Sequence, residues 1–524
     1  MSENPRSFGG EQLARAVERA YAQGGTDYSL EPMALVDGQG TPVGKIQNGD
    51  SVIFCCRRGE REIELTEAFT EPDFNRFERN YMDDLHFCIM TMYHEKFKLL
   101  PIAFAPERVQ KPLAQVLSEH GKTQFHCSES EKFAHVTFFF NGGVNQPFEG
   151  EKDECEPSPK GIPFDQKPEL SLPAVKERVM HAADLGYDFI LTNFANGDVI
   201  GHTANSSAKL EAAAHVSRAV REVSAYAAQK GYVVLVTADH GNIETLYTPE
   251  GKPHGAHTTN LVPFIVIDPQ SRPLQVKDGR LGDVAPTVLS LFGIQKPAEM
   301  TGESLIEAEN LTADKVMLIV LDGWGFGSHD EGDAIFLADT PDWDEMLKAY
   351  PQSKLKASGE DVGLQGGKPG NSEAGHTNLG AGRVVAQDDV RMDNAIKSGA
   401  FSQNPVFISA IDRAKEKGKA LHLLAYLTYK SSHGCIDYPL MIARLAKEKG
   451  LEKVYFHIIF DGRSTLPGSA PHMLRELDEK LQEIGVGQIV DGVGRGIALD
   501  RDGNYEKIRK AYQCMVLGEG VQYT

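Results

Sequence analysis

Three short stretches of the chain carry side chains suited to holding divalent cations: Asp198 and His202 in NFANGDVIGHT, Asp239 and His240 in VTADHGN, and His257 in GAHTTN. A fourth, Asp322, ends the apolar run of IVLDGWG. Imidazole prefers transition metals and carboxylate tolerates harder ions, so a mixed Asp/His set suits Mn²⁺ or Zn²⁺. A single Asp-His pair also reads as a loop-capping interaction, but four such clusters at the ends of strand-like runs favour a shared site. Phosphoryl transfer uses what two divalent ions offer: neutralised phosphate oxygens, an activated nucleophile and a stabilised leaving oxygen. The nucleophile in such a site is a hydroxyl ionised by coordination, because free serine is too weakly acidic near neutral pH. Ser372, in GGKPGNSEAGHTNLGAGR, is the candidate. Its glycines would let backbone approach a phosphate closely, although the same stretch reads equally as a flexible surface loop.

The elements that must position these residues are legible as apolar, β-branched runs alternating with amphipathic stretches. SVIFCC, YDFILTNF, GYVVLVTAD, KVMLIVLDG, ALHLLAYL and KVYFHIIFD read as buried parallel strands, and AKLEAAAHVSRAVREVSAYAAQKG reads as a helix between two of them. The fold class is therefore α/β. Several runs stop at polar clusters, and in open α/β sheets ligands collect beyond the carboxyl ends of strands. A chain of 524 residues exceeds what one core usually organises, which predicts two domains. The polar stretch IEAENLTADK reads as a linker centred on 307–314.

Composition narrows the partners. A formal charge of -20 disfavours nucleic acid and anionic membranes, which need a basic footprint. The seven cysteines are scattered without CxxC spacing, against a disulfide framework or a zinc-thiolate site. The opening residues lack the apolar stretch of a secretory leader, and no run of about 18 apolar residues occurs. A soluble protein of the reducing cytoplasm is expected.

With these residues in view, the sequence resembles the cofactor (2,3-bisphosphoglycerate)-independent phosphoglycerate mutases of the alkaline phosphatase superfamily. The segments carrying the resemblance are LDGWG, ASGEDVGL, GNSEAGHTNLGAGR, EKFAHVTFFFNGG, PSPK, NFANGDVIGHT, TADHGN, AHTTN and DVAPTVL with EMTGESLI, spread over most of 120–400. The resemblance implies two divalent ions, Mn²⁺ first, with Zn²⁺, Co²⁺ or Mg²⁺ as alternatives. One would be held by Asp198, His202 and His257, the other by Asp239, His240, Asp322 and Ser372. It also implies a small phosphorylated acid as substrate, and a monomer. The motif order differs from the family's, in which LDGWG lies near the start and EMTGESLI near the end; here EMTGESLI runs into KVMLIVLDGWG. That is the pattern of a circular permutation. It predicts a phosphatase (metal, phosphoserine) domain over about 125–400, with the linker inside it, set into a smaller α/β transferase domain made of 1–118 and 405–524.

A phosphorylated three-carbon acid carries up to three negative charges, so its pocket should gather guanidinium groups. By resemblance these are Arg58, Arg61, Arg463, Arg495 and Arg501, with His433 in the substrate pocket and Lys132 on the transferring phosphate. Departures occur in the same half. The family's DGRDT is DGRST here, putting Ser464 where a proton-shuttling acid is expected, and its HSHxxH becomes His433, Cys435 and Tyr438. Cys55, Cys56 and Arg57 precede Arg58 where the family reads FNF. A serine cannot act as a carboxylate base. The expected reaction is interconversion of 3- and 2-phosphoglycerate through a phosphoserine. Its rivals are a phosphatase or phosphotransferase acting on a related phosphorylated or phosphonylated hydroxy acid, and a non-catalytic, metal-stabilised binder of a phosphorylated ligand.

Overall fold

The computed structural model describes residues 8–57, 59–307, 311–429, 431 and 433–524. The chain divides into two units, one from the segments up to Pro106 and from Arg391 onward, the other from Glu107–Val390. The junctions follow from packing. The helix Leu113–Glu119 buries Leu113, Val116 and Leu117 among the core residues of the second unit, whereas Met392 and Phe401 are buried in the core of the first.

The first segment of unit 1 supplies strands β1 (Met33–Leu35), β2 (Ser51–Phe54), β3 (His86–Thr91) and β4 (Ile102–Phe104). Unit 2 adds β5 (Gln124–Glu129), β6 (Glu151–Glu156), β7 (Phe189–Phe194), β8 (Val233–Thr237) and β9 (Val262–Ile267). It continues with β10 (Gln275–Val276), β11 (Gly279–Arg280), β12 (Ile306–Glu307), β13 (Val316–Leu321) and β14 (Gln352–Lys356). The chain then returns to unit 1 with β15 (Leu421–Leu427), β16 (Val454–Phe460), β17 (Gln488–Gly494) and β18 (Val521–Tyr523).

Each unit is built on an eight-stranded sheet packed with helices, and unit 2 adds the two-stranded sheet β10-β12. The unit 1 sheet runs β18-β1-β17-β16-β15-β2-β3-β4, and its two faces feed separate cores. Along β15 the alternation is visible: Leu421, Leu423, Ala425 and Leu427 enter one cluster, and Leu424 and Tyr426 the other. The unit 2 sheet runs β11-β14-β9-β8-β13-β7-β5-β6. Its centre, β8-β13-β7-β5-β6, is parallel throughout, while β9 is antiparallel to both β8 and β14. β7, β8 and β13 are wholly buried, which is why they read as unbroken apolar runs. The amphipathic stretch forms the helix Ser206–Gln229, capped by the Asn205 side chain.

The stretch expected to be a linker is docked on both sides of residues 308–310, which lie outside the described set. β12 pairs with β10, Leu311 is buried, the Ala313 N–H donates to Leu291 O at 2.7 Å, and Arg272 Nη1 donates to Thr312 O at 3.0 Å. Among the described residues no helix is long and apolar enough to cross a membrane.

Candidate metal centre

The strand order explains how distant sequence clusters meet. β7, β13 and β8 are parallel neighbours, so their carboxyl ends fall side by side. β7 leads into the short helix Asn196–Gly201, which carries Asp198 and ends at His202; β8 leads to Asp239 and His240; β13 leads to Asp322. Because β9 runs the other way, the residues before it, including His257, lie at that same edge. Lys132 follows β5, the parallel neighbour of β7. Ser372 is the first residue of the helix Ser372–Ala381, whose start is capped by the Asn371 side chain accepting from the Ala374 N–H at 2.8 Å.

Proton counting shows what the cluster is built to hold. His202, His240 and His257 each direct Nδ1 at a backbone carbonyl, those of Gly255, Gly241 and Gly370, at 2.9, 3.2 and 2.8 Å. A carbonyl only accepts, so the ring proton sits on Nδ1 and the Nε2 lone pair faces inward. His202 Nε2 and His257 Nε2 are 3.0 Å apart and lie 3.2 and 3.0 Å from Asp198 Oδ1. Three acceptors in contact repel unless a cation lies between them, either a metal ion or a second ring proton, for which Asp198 raises the affinity of His202 and, against burial, of His257. In a second group His240 Nε2 lies 3.5 Å from Asp239 Oδ2, 3.6 Å from Asp322 Oδ1 and 3.0 Å from Ser372 Oγ. Asp239 Oδ2 is buried and accepts no hydrogen bond among the described residues. Three buried carboxylates face one ammonium, a charge excess that burial makes costly. The mixed nitrogen and oxygen donors and the committed Nδ1 protons fit divalent metal ions.

Lys132 bridges the cluster, its Nζ 2.6 Å from Asp198 Oδ2, 2.8 Å from Asp322 Oδ1 and 2.6 Å from Ser372 Oγ. Burial opposes its charge, but Asp322, Asp198 and Asp239 more than restore it and raise its affinity for the proton. Burial likewise works against ionising Asp198 and Asp239. Lys132 and the hydrogen bonds of His202 and His257 nevertheless hold Asp198 well down, and the neighbouring His240, His376 and Lys132 do so for Asp239. Asp322 is pushed up, by burial first and by the charges of Asp239 and Asp198 next.

Supporting residues lie inside the motifs but were not singled out by residue type. Asn193 Nδ2 donates to Asp322 Oδ2 at 2.6 Å, and Asn242 Nδ2 to Asp198 Oδ1 at 2.9 Å. His376, one turn after Ser372, places Nδ1 3.0 Å from Ser372 O and 3.3 Å from Asp239 Oδ2. Glu244 accepts from the N–H groups of Asn242 and Gly325 at 2.8 and 3.1 Å and from Asn260 Nδ2 at 2.9 Å, tying three loops together. The glycines around Ser372 serve close packing. A Cβ on Gly375 would come within 2.7 Å of Asp239 Cβ and O, and one on Gly370 within 2.1 Å of Ala357 O.

The remaining candidates lie in unit 1, where Arg58 is outside the described residues. Arg495, 1% exposed, donates from Nη1 to Asp461 Oδ1 at 2.7 Å and to the Tyr426 hydroxyl, while its Nε and Nη2 have no hydrogen-bond partner among the described residues. Two donors of the guanidinium fork are thus buried without an acceptor, and a fork of this geometry suits an oxyanion. Tyr426 links it to His433, with ring centroids 6.0 Å apart, and His433 Nδ1 lies 3.4 Å from Glu62 Oε1. Glu62 is fully buried, and burial raises its carboxyl against the pull of His433. Glu62, Tyr426 and Asp461 were not expected. Arg61 Nη1 donates to Leu499 O at 3.0 Å, and Arg463 and Arg501 are exposed. Ser464 is exposed and donates its N–H to Asp461 Oδ2 at 3.1 Å; Tyr438 is a core residue packed on Phe401, and the Cys435 thiol lies 3.0 Å from Tyr429 O.

Comparison with known proteins adds the lineage. The 2,3-bisphosphoglycerate-independent phosphoglycerate mutase of Moorella thermoacetica is 43% identical over 294 residues, 56% of this chain and 57% of that one. That of Salinibacter ruber is 43% identical over 304 residues, 57% and 58% of the two chains. The solved phosphoglycerate mutase of Leishmania mexicana shows 30% identity over 52% of this chain and 53% of its own, with a TM-score of 0.40. The chain thus spans a little over half the length of the curated relatives it matches. Residues 392–524, at the end of this chain, match the model described as BPG-independent PGAM N-terminus. Residues 35–296, half of the chain, match the model of the Metalloenzyme superfamily, and the protein belongs to that superfamily.

Proposed function

We propose that the protein is a metal-dependent enzyme that interconverts 3-phosphoglycerate and 2-phosphoglycerate through a phosphoserine at Ser372. The observation that carries this reading is the placing of Ser372 Oγ at a helix N-terminus, 2.6 Å from Lys132, 3.0 Å from His240 and 3.1 Å from Asp322. Two divalent ions, Mn²⁺ in the first instance, held by Asp198, His202 and His257 and by Asp239, His240, Asp322 and Ser372, would supply charge neutralisation and ionise the serine. The helix N-terminus and Lys132 favour the negative charge of the phosphoryl group.

Ser372 Oγ attacks phosphorus, the bond to the 3-oxygen breaks, and that oxygen takes up a proton. The 2-hydroxyl gives up a proton as it attacks the phosphoserine, and Ser372 is restored. Arg495, whose Nε and Nη2 lack a hydrogen-bond partner among the described residues, is the residue we assign to the substrate carboxylate. Glu62 takes the proton-carrying role that Ser464 lacks, since its raised affinity brings a carboxyl closer to the operating pH. The seven cysteines are free thiols, which agrees with a reducing cytoplasm, and we read the enzyme as a monomer on its resemblance alone. Ser464, Cys435 and Tyr438 favour, as a second reading, the same chemistry on another phosphorylated or phosphonylated hydroxy acid.

The test is ³¹P NMR of the Mn²⁺-loaded protein with 3-phosphoglycerate. Growth of 2-phosphoglycerate to a stable ratio, absent in Ser372→Ala, is expected. Inorganic phosphate alone, or an unchanged spectrum from metal-replete protein, would sink the mutase reading.

A further inference from the structure

A second group of metal-ligand side chains lies on β5 and β6. The two strands are parallel, with His126 opposite Asp153 and Gln124 opposite Glu151, so all four side chains share one face. His126 is fully buried, and its Nδ1 lies 3.1 Å from Glu151 Oε1 and 4.0 Å from Asp153 Oδ1. Neither ring nitrogen makes a hydrogen bond among the described residues, and Asp153 Oδ1 is also buried without one. Gln124 Oε1 and Asn141 Oδ1, both buried, are in the same condition among the described residues. Acceptors therefore outnumber protons on this face, since a neutral His126 ring brings one N–H to two carboxylates. Glu151 is partly served, Oε1 by Asn141 Nδ2 at 2.7 Å and Oε2 by the Phe148 N–H at 2.8 Å. Each of those oxygens retains a further lone pair.

We propose that His126, Glu151 and Asp153 hold one divalent transition-metal ion, a site separate from the Ser372 cluster. One imidazole and two carboxylates match the donor preferences of Zn²⁺ and Mn²⁺. Ligands about 2.0–2.2 Å from a common ion stand roughly 3–4 Å from one another, which is the spacing of the His126 contacts. The position gives the ion a positioning role. The His126 ring packs edge-on against Phe140 at 5.6 Å, and Phe140 O lies where a Cβ on Gly380 would approach to 1.9 Å. Gly380 belongs to the Ser372 helix, so the ion would fix the sheet edge on which that helix rests.

Metal content decides the matter. The full chain and the variants His126→Gln and Asp153→Asn are stripped with chelator, reloaded with Zn²⁺ or Co²⁺, passed through gel filtration and analysed by mass spectrometry of the metal, with circular dichroism to confirm folding. The unmodified chain should retain one equivalent more than either variant. A chain carrying Asp239→Asn and His257→Ala should still bind one Co²⁺, with d–d absorption of a nitrogen- and oxygen-ligated ion. Equal metal content in the unmodified chain and a folded variant overturns the proposal and leaves His126 as an imidazolium shared by two carboxylates. Absence of the Co²⁺ absorption from the Asp239→Asn, His257→Ala chain overturns it too, even where both β5 and β6 variants fail to fold.

Discussion

Replacing Arg495 by lysine keeps a cation beside Asp461 but removes the fork formed by Nε and Nη2. A charge-assisted hydrogen bond is worth roughly 1.5–3 kcal/mol, so KM for 3-phosphoglycerate should rise about 10- to 100-fold in steady-state assays while the melting temperature barely moves. Glu62→Gln should separate activity from stability in the opposite sense. It removes a buried carboxylate whose charge burial disfavours, so thermal stability holds or rises. Loss of proton transfer should lower kcat by about 10²-fold or more, and an unchanged kcat would refute the role given to Glu62. These residues also mark the limit of what the sequence displays. Asp198, His202, Asp239, His240, His257 and Asp322 stand out because ligand-type side chains end apolar runs. Tyr426 is indistinguishable from core in ALHLLAYL, and Glu62 from a solvated charge in RRGEREIE. Only the fold reveals that Tyr426 meets Asp461 and that Glu62 is buried.

At the level of elements, the Ser372 helix reaches the metal loops because Gly375 lets it touch Asp239. Gly375→Ala puts a methyl 2.7 Å from Asp239 Cβ and backbone, an overpacking that costs about 1–3 kcal/mol. Melting temperature and kcat should fall together, whereas Gly38→Ala, at a site with nothing within 4 Å, should leave both unchanged. If Gly375→Ala behaves like that control, the helix is not held by this contact. The strand-ending pattern showed where ligands collect because β7, β8 and β13 are parallel and buried on both faces. It did not show that β9 runs antiparallel, since a continuous apolar run such as VPFIVI records burial and not direction. The glycines of GGKPGNSEAGH were ambiguous for a similar reason: composition does not distinguish a flexible loop from a helix seated against another backbone.

For the molecule as a whole, stripping the metals should lower the melting temperature. A ligand at 100 times its Kd stabilises by about 2.7 kcal/mol, and readdition of Mn²⁺ should restore the lost degrees in calorimetry. The order of the segments makes a stronger demand. A model named for an N-terminus matches residues 392–524, after the Metalloenzyme match at 35–296, as a permuted chain requires. Permutation leaves a fold intact only where the joined ends are close and the cut lies at the surface. Both conditions can be examined in reverse. Glu11, Gln12 and Arg15 of the first helix line one surface cleft with Gln522, Tyr523 and Thr524, and β18 pairs with β1. Joining Thr524 to the first helix, whose Glu11 shares that cleft, through a Gly and Ser linker therefore closes a loop at small entropic cost. Opening the chain within 308–310 spares the Leu291 and Arg272 contacts that anchor Ala313 and Thr312. The resulting protein begins with β13 and its Asp322 and ends with β12. It should melt cooperatively, bind the same number of metal ions as the present chain, and turn over within a few-fold of it. A soluble product that binds no metal would show that the 307–314 connection organises the Asp322 strand rather than merely joining two elements already placed by the sheet.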